Sequence, residues 1–100
     1  MCVDWARARG YWARKFSSQS QRSVPDYLFA RREMPRMLPG IIAQVIFACE
    51  FKTPGNTPTP AQQDEIDAMR RAGWPAFWAD SLENFQAIVL ALERSRAFPV

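Results

Sequence analysis

Residues 41–52, IIAQVIFACEFK, form the longest strand-like run in the chain, rich in Ile, Val and Phe and ending in a Glu and a Lys two positions apart. In a strand, residues i and i+2 point to the same face, so Glu50 and Lys52 share a face with Ala48, Ile46 and Gln44. A carboxylate at the inner end of so apolar a strand costs on the order of several kcal/mol unless it is paired or binds a metal. The rest of the chain must therefore bring a partner to Glu50.

The other elements follow from periodicity and punctuation. VDWARAR (3–9) has helical character and Gly10 stands where a helix would stop. YWARKF (11–16) reads as a strand, SSQSQRS (17–23) as a polar loop, and YLFA (27–30) as a short strand after Pro25-Asp26. RREMPRMLPG (31–40) reads as a basic, Pro-broken connection. After the irregular TPGNTPTP, Thr59 is an N-cap, Pro60 takes the first helical position and Gln62 the third, a capping box that opens a helix ending at Gly73. Ile66 and Met69 form its narrow apolar face. WPAFWA (74–79) is a strand, and Asp80-Ser81-Leu82-Glu83 caps a last helix whose Phe85, Ile88, Val89 and Leu92 recur at helical spacing. The order α-β-β-β-α-β-α predicts one α/β domain over residues 1–100. The strand–helix–strand crossover over 41–79 is expected to be parallel and right-handed.

Strands 27–30 and 41–52 are expected to form an antiparallel hairpin. With its centre between Leu38 and Gly40, paired positions sum to about 77–79, which sets Asp26 opposite positions 51–53. Two carboxylates, a lysine and the Phe51 carbonyl then converge at one sheet end. Oxygen donors of this kind suit one Mg²⁺ ion that keeps several waters, with Lys52 orienting or deprotonating a water and offsetting phosphate charge. That is chemistry for phosphodiester hydrolysis. Taken singly, Asp26 reads as an Asx turn after Pro25, and Glu50 and Lys52 as an exposed strand end. Taken together, the three read as a site.

Composition narrows the chemistry. The chain has no His, which removes His-based general bases, Ser-His and Cys-His nucleophile pairs and imidazole zinc sites. Two cysteines, Cys2 and Cys49, form neither a zinc spacing nor a disulfide framework and fit a reducing cytoplasm, with Cys49 read as a small buried apolar residue. MCVDWARARG carries charges where an export signal needs its apolar segment, and no apolar run reaches the roughly 18–20 residues of a membrane span. Residues 1–40 hold eight basic and three acidic residues, whereas 41–100 hold five and seven. A basic first half suits a phosphate backbone, with Arg14, Lys15, Arg22, Arg31, Arg32 and Arg36 as candidate contacts, although each singly is read as a solvated side chain.

Pro25-Asp26 followed by Glu50-x-Lys52 resembles the PD-(D/E)xK nucleases. The surroundings are more specific: VPDYLF, then CEFKTPGNTPTPAQQDEIDAMRRAGWPAFWADSLE, resemble the VRR-NUC family of small stand-alone phage and bacterial proteins over roughly residues 5–90. The resemblance implies a restriction-endonuclease-like fold, with a mixed central sheet flanked by helices, and Mg²⁺- or Mn²⁺-dependent cleavage of branched or Holliday-junction-like DNA by a homodimer. It implies that Asp26 and Glu50 ligate the metal, that Phe51 lends its carbonyl, that Lys52 is the catalytic lysine and that Gln62 lies near the active site. Many members carry a Glu on the first helix, where this chain has only Asp4. Ser23 stands where a Gly is usual, and Tyr27 where a basic residue often follows Pro-Asp.

Three readings follow: a structure-selective DNA endonuclease, a DNA-binding module with an incomplete nuclease site, and a small interaction protein. Metal dependence separates the first two, and salt-dependent DNA binding separates the second from the third. Four Trp and seven Phe in a chain of this length also argue for a dimer surface, with Trp74, Phe77 and Trp78 read as core or interface.

Overall fold

A computed structural model describes residues 1–16, 24–33 and 43–97. Seven elements appear in the expected order: α1 (Cys2–Ala8), β1 (Trp12–Lys15), β2 (Tyr27–Glu33), β3 (Ala43–Phe51), α2 (Pro60–Arg71), β4 (Ala76–Ala79) and α3 (Leu82–Ala97). The four strands form one sheet in the order β1-β2-β3-β4, antiparallel across the first two pairings and parallel between β3 and β4. Arg22, Ser23 and Arg36 lie outside the described residues.

β2 is longer than its apolar residues predict. Arg31, Arg32 and Glu33 continue the ladder against Val45, Gln44 and Ala43 instead of starting the connection. Charged residues have little intrinsic strand preference, and pairing with the strongly strand-forming β3 overrides it. The hairpin register also differs from expectation. Tyr27 stands opposite Cys49, so the next step sets Asp26 against Glu50 instead of positions 51–53.

Alternation along the strands divides the core into two layers. Phe29, Val45, Phe47, Cys49 and Phe77 face α1 and α3, where they meet Ala6, Phe85 and Val89. Phe29 and Phe47 stack at 4.7 Å and Phe85 lies 5.5 Å from Phe29, so one aromatic cluster fills this side. On the other face, Ala48 and Ala76 pack against Ile66 of α2, with Leu28, Met69 and Trp78 around them. The small side chains at 48 and 76 let α2 approach the sheet closely.

Helix ends follow their local chemistry. Thr59 and Gln62 complete the capping box of α2, and Gly73 adopts φ +92° just past its end, a conformation that favours glycine. The Ser81 side chain accepts from the Asn84 N–H at the start of α3. At the free edge of β1, the Ala13 carbonyl accepts from Arg7 Nη2 at 3.0 Å and Arg14 Nη1 at 2.9 Å.

A second polar cluster ties the α1/α3 layer together. Glu93 of α3 is 8% exposed and accepts from Tyr11 Oη at 2.8 Å and Arg9 Nε at 3.2 Å, with Arg31 Nη2 at 3.1 Å. Burial raises its pKa, but the hydrogen bonds from Arg9 and Tyr11 and the two positive charges outweigh it and hold the carboxyl below its ordinary value. Arg31 is thus engaged on the face opposite Glu50.

Candidate active site

Glu50 occupies the last full turn of pleat in β3, on the face covered by α2, and only 4% of it is exposed. Its carboxylate is held from three directions. The Asp26 backbone N–H donates to Oε2 at 3.1 Å, Gln62 Nε2 donates to Oε1 at 2.6 Å, and Lys52 Nζ stands 3.9 Å from Oε1. Burial pushes the Glu50 pKa up to about 7, and the neighbouring Asp26 carboxyl adds to the rise, while the Asp26 N–H and Lys52 oppose it. The structure therefore brings Asp26, Glu50, Lys52 and Gln62 to one corner.

Gln62 links this corner to the backbone of α2. Its Oε1 accepts from the Thr59 N–H at 2.9 Å, and its own N–H donates to Thr59 Oγ1 at 3.2 Å. The capping bond fixes which end of the amide carries oxygen, so the Nε2 end is turned to Glu50. Capping and contact with Glu50 coexist in one side chain.

The Phe51 ring belongs to the opposite layer, 5.5 Å from Tyr27 and 5.4 Å from Phe85. Its backbone is a different matter. The Ala48 and Lys52 amides donate to Pro75 and Ala79, so even-numbered peptide groups at this end of β3 turn to β4 and odd-numbered ones to β2. The β2–β3 register carried past Tyr27 sets Phe51 opposite Pro25, which has no N–H to give. The strand ladder thus offers the Phe51 carbonyl no donor at this point.

Among the described residues no group of three or more Asp, Glu, His or Cys forms a candidate metal cluster, so the site holds two carboxylates. Asp4 is exposed on α1, which packs with α3 on the other face of the sheet. Of the proposed phosphate contacts, Arg14 and Lys15 are exposed on β1 and Arg32 on β2, whereas Arg31 is drawn into the Glu93 cluster. Cys49 is fully buried and its thiol pKa is raised by burial.

A feature that sequence reasoning missed lies across the sheet from Asp26. The Phe16 N–H donates to the Asp26 carbonyl at 2.6 Å, which makes Phe16, just past the end of β1, its neighbour across the sheet. Trp12, Arg14 and Phe16 alternate onto the Glu50 face, and the guanidinium of Arg14 lies 5.5 Å over the Trp12 ring. The alternation within YWARKF was the available signal, but its face depends on registers across three strands.

A mixed four-stranded sheet between α2 on one side and α1 with α3 on the other, with an acid pair at one strand end, defines a restriction-endonuclease-like α/β fold. More particularly, the fold is that of a VRR_NUC domain: a solved structure of one superposes with a TM-score of 0.67 at 24% identity, covering 89% of this chain and 86% of the other. No family model and no curated protein matches the chain.

Proposed function

We propose that the protein is a metal-dependent, structure-selective DNA endonuclease of the VRR-NUC type that hydrolyses phosphodiester bonds in branched DNA. The observation that carries this reading is the convergence of Glu50, Asp26, Lys52 and Gln62 at the strand end of a VRR_NUC-like fold.

The donor set fits a hard divalent cation. It is made of oxygen, and a positive ion relieves the cost that burial and the neighbouring Asp26 carboxyl put on ionising Glu50. Asp26, Glu50 and the Phe51 carbonyl would hold the Mg²⁺ or Mn²⁺. When bound, such an ion supplies charge neutralisation at the scissile phosphate and acidifies water. Lys52, whose Nζ lies 3.9 Å from the nearer Glu50 oxygen, would orient the attacking water and offset phosphate charge. Gln62 holds the Glu50 carboxylate in one orientation.

The experiment is a panel of end-labelled duplex, flap, splayed and four-way DNAs incubated with Mg²⁺, Mn²⁺ or EDTA. Cleavage of a branched substrate that stops in EDTA supports the reading, and binding with no cleavage in either metal overturns it. The second outcome is the DNA-binding module with an incomplete nuclease site.

A homodimer belongs to the same proposal, because cutting two strands of a junction calls for two sites related by a two-fold axis. The aromatic surplus gives it little support. Phe29, Phe47, Phe77 and Phe85 are buried in one cluster, and the large exposed apolar residues among those described are Met1, Trp12, Phe16 and Trp74. Light scattering at micromolar concentration, with and without junction DNA, tests it, and a monomer in both conditions rejects it.

A further inference from the structure

Among the described residues, α2 packs over Leu28, Ala48, Ala76 and Trp78 on the sheet face that carries Glu50 and does not reach β1. Along that strip of the face Trp12 is 51% exposed and Phe16 42% exposed, although the opposite face of β1 buries Ala13. Registry places the strip beside the acid pair. Phe16 pairs with Asp26, Asp26 stands opposite Glu50, and adjacent strands lie ~5 Å apart. The first ring is therefore one strand from Asp26, and Trp12 lies about 13 Å further along β1. Arg14 sits between the two rings with its guanidinium over the indole, and Arg32 is exposed on the same face of β2. Among the described residues, β1 and β2 carry no acid on this face apart from Asp26.

Two exposed rings with a cation between them form a platform that a base can cover, and the cations supply phosphate contacts beside it. A base inside a duplex has no free face to offer. The occupant this strip fits is therefore an unpaired strand whose bases stack on the rings while its backbone runs toward the acids. Resting on the nuclease reading for its destination, we infer that Trp12 and Phe16 bind unpaired nucleotides of the substrate and lead them from the sheet edge to Asp26 and Glu50, so the preferred substrate has a single-stranded arm next to the cleaved bond.

The test is fluorescence anisotropy in EDTA with three labelled probes: (dT)12, a forked duplex with two single-stranded arms, and a blunt duplex of equal length. The full chain is compared with Trp12→Ala, Trp12→Phe, Phe16→Ala and Arg32→Ala. The parent should bind (dT)12 and the fork more tightly than the blunt duplex. Trp12→Ala and Phe16→Ala should each weaken binding of (dT)12 and the fork about tenfold and leave the blunt duplex within about twofold, whereas Trp12→Phe keeps most of the affinity. Arg32→Ala should weaken all three probes and reduce the slope of log affinity against log salt by about one. Equal losses on all probes from Trp12→Ala, or none, overturn the proposal. So does a Trp12→Ala variant that changes oligomeric state by sedimentation equilibrium while binding DNA like the parent, since the strip is then a contact between copies. A parent that binds unpaired strands through Trp12 but cleaves nothing in Mg²⁺ or Mn²⁺ upholds the stacking of unpaired nucleotides on Trp12 and Phe16 and removes the nuclease reading together with the cleaved bond as their destination.

Discussion

Gln62 donates to Glu50 over 2.6 Å with one end of its amide while the other end accepts from the Thr59 N–H. One side chain therefore serves the start of α2 and the orientation of a buried acid. Gln62→Ala should cost about 1–2 kcal/mol in urea denaturation, from a lost capping box and a lost hydrogen bond to a charged group. Gln62→Glu should cost more, because it keeps the cap and sets a third carboxylate against Glu50. If Gln62→Glu is as stable as the parent, the contact with Glu50 is unimportant.

Stability should fall with rising pH across the titration of Glu50. A carboxyl raised in the folded protein holds its proton more tightly there than in the unfolded chain. Its contribution is therefore full below the ordinary value of 4.5 and is lost as pH rises through about 7. The Glu93 carboxyl, held low, works in the opposite sense: its contribution is full above the ordinary value of 4.5 and is lost as pH falls below it. In EDTA the parent's Tm should drop between pH 5.5 and 8.5, and Glu50→Gln should show a flatter profile and equal or exceed the parent at pH 8.5. Adding Mg²⁺ or Mn²⁺ should raise the parent's Tm by mass action and leave Glu50→Gln unmoved. A variant that melts well below the parent in EDTA would make Glu50 a structural partner instead.

Lys52→Ala should abolish cleavage and leave DNA affinity within a few-fold. The ammonium lies beside the Glu50 carboxylate but outside its hydrogen-bond distance, so its removal leaves both donors to that carboxylate in place. Single-turnover cleavage and anisotropy on the same forked substrate separate the two effects. Retained cleavage at the parent rate assigns the lysine to folding or solubility.

Glu93→Ala should be the most damaging of these changes to stability, by about 3 kcal/mol, because it leaves Arg9 and Arg31 without the acid they share. For a domain of this size that corresponds to a Tm lower by roughly 10 °C or more. Glu93→Gln keeps the Tyr11 hydrogen bond and should lose less. A change of under 1 kcal/mol in Glu93→Ala would show that the cluster is solvated and weak.

Local rules carried much of this structure. The apolar run of β3, the Thr59-Pro60-Gln62 helix start and the Gly73 stop are set by residues within a turn or a pleat of each other, and they appear where those rules place them. The common face of Glu50 and Lys52 follows from alternation alone. What the sequence did not reveal depends on distant partners. Arg31 reads as a free phosphate contact until a glutamate 62 positions later folds against it. The hairpin register is decided by which β2 residues meet β3, and charged Arg31 and Arg32 gave no sign that they would join the ladder. The same register decides that Phe16, and not a loop residue, stands next to Asp26.

The two guanidinium groups on the Ala13 carbonyl have a consequence for how copies of this molecule can meet. Outer strands invite recruitment, since an extended segment from another chain can continue the ladder of unmet amides and carbonyls. Here an acceptor in the middle of the outermost strand is already taken twice by cations, which an incoming backbone would have to displace. Growth by strand addition is blocked on this side by charge instead of by a covering helix. A second copy that extended the sheet past the middle of β1 would first have to break the two guanidinium contacts on Ala13.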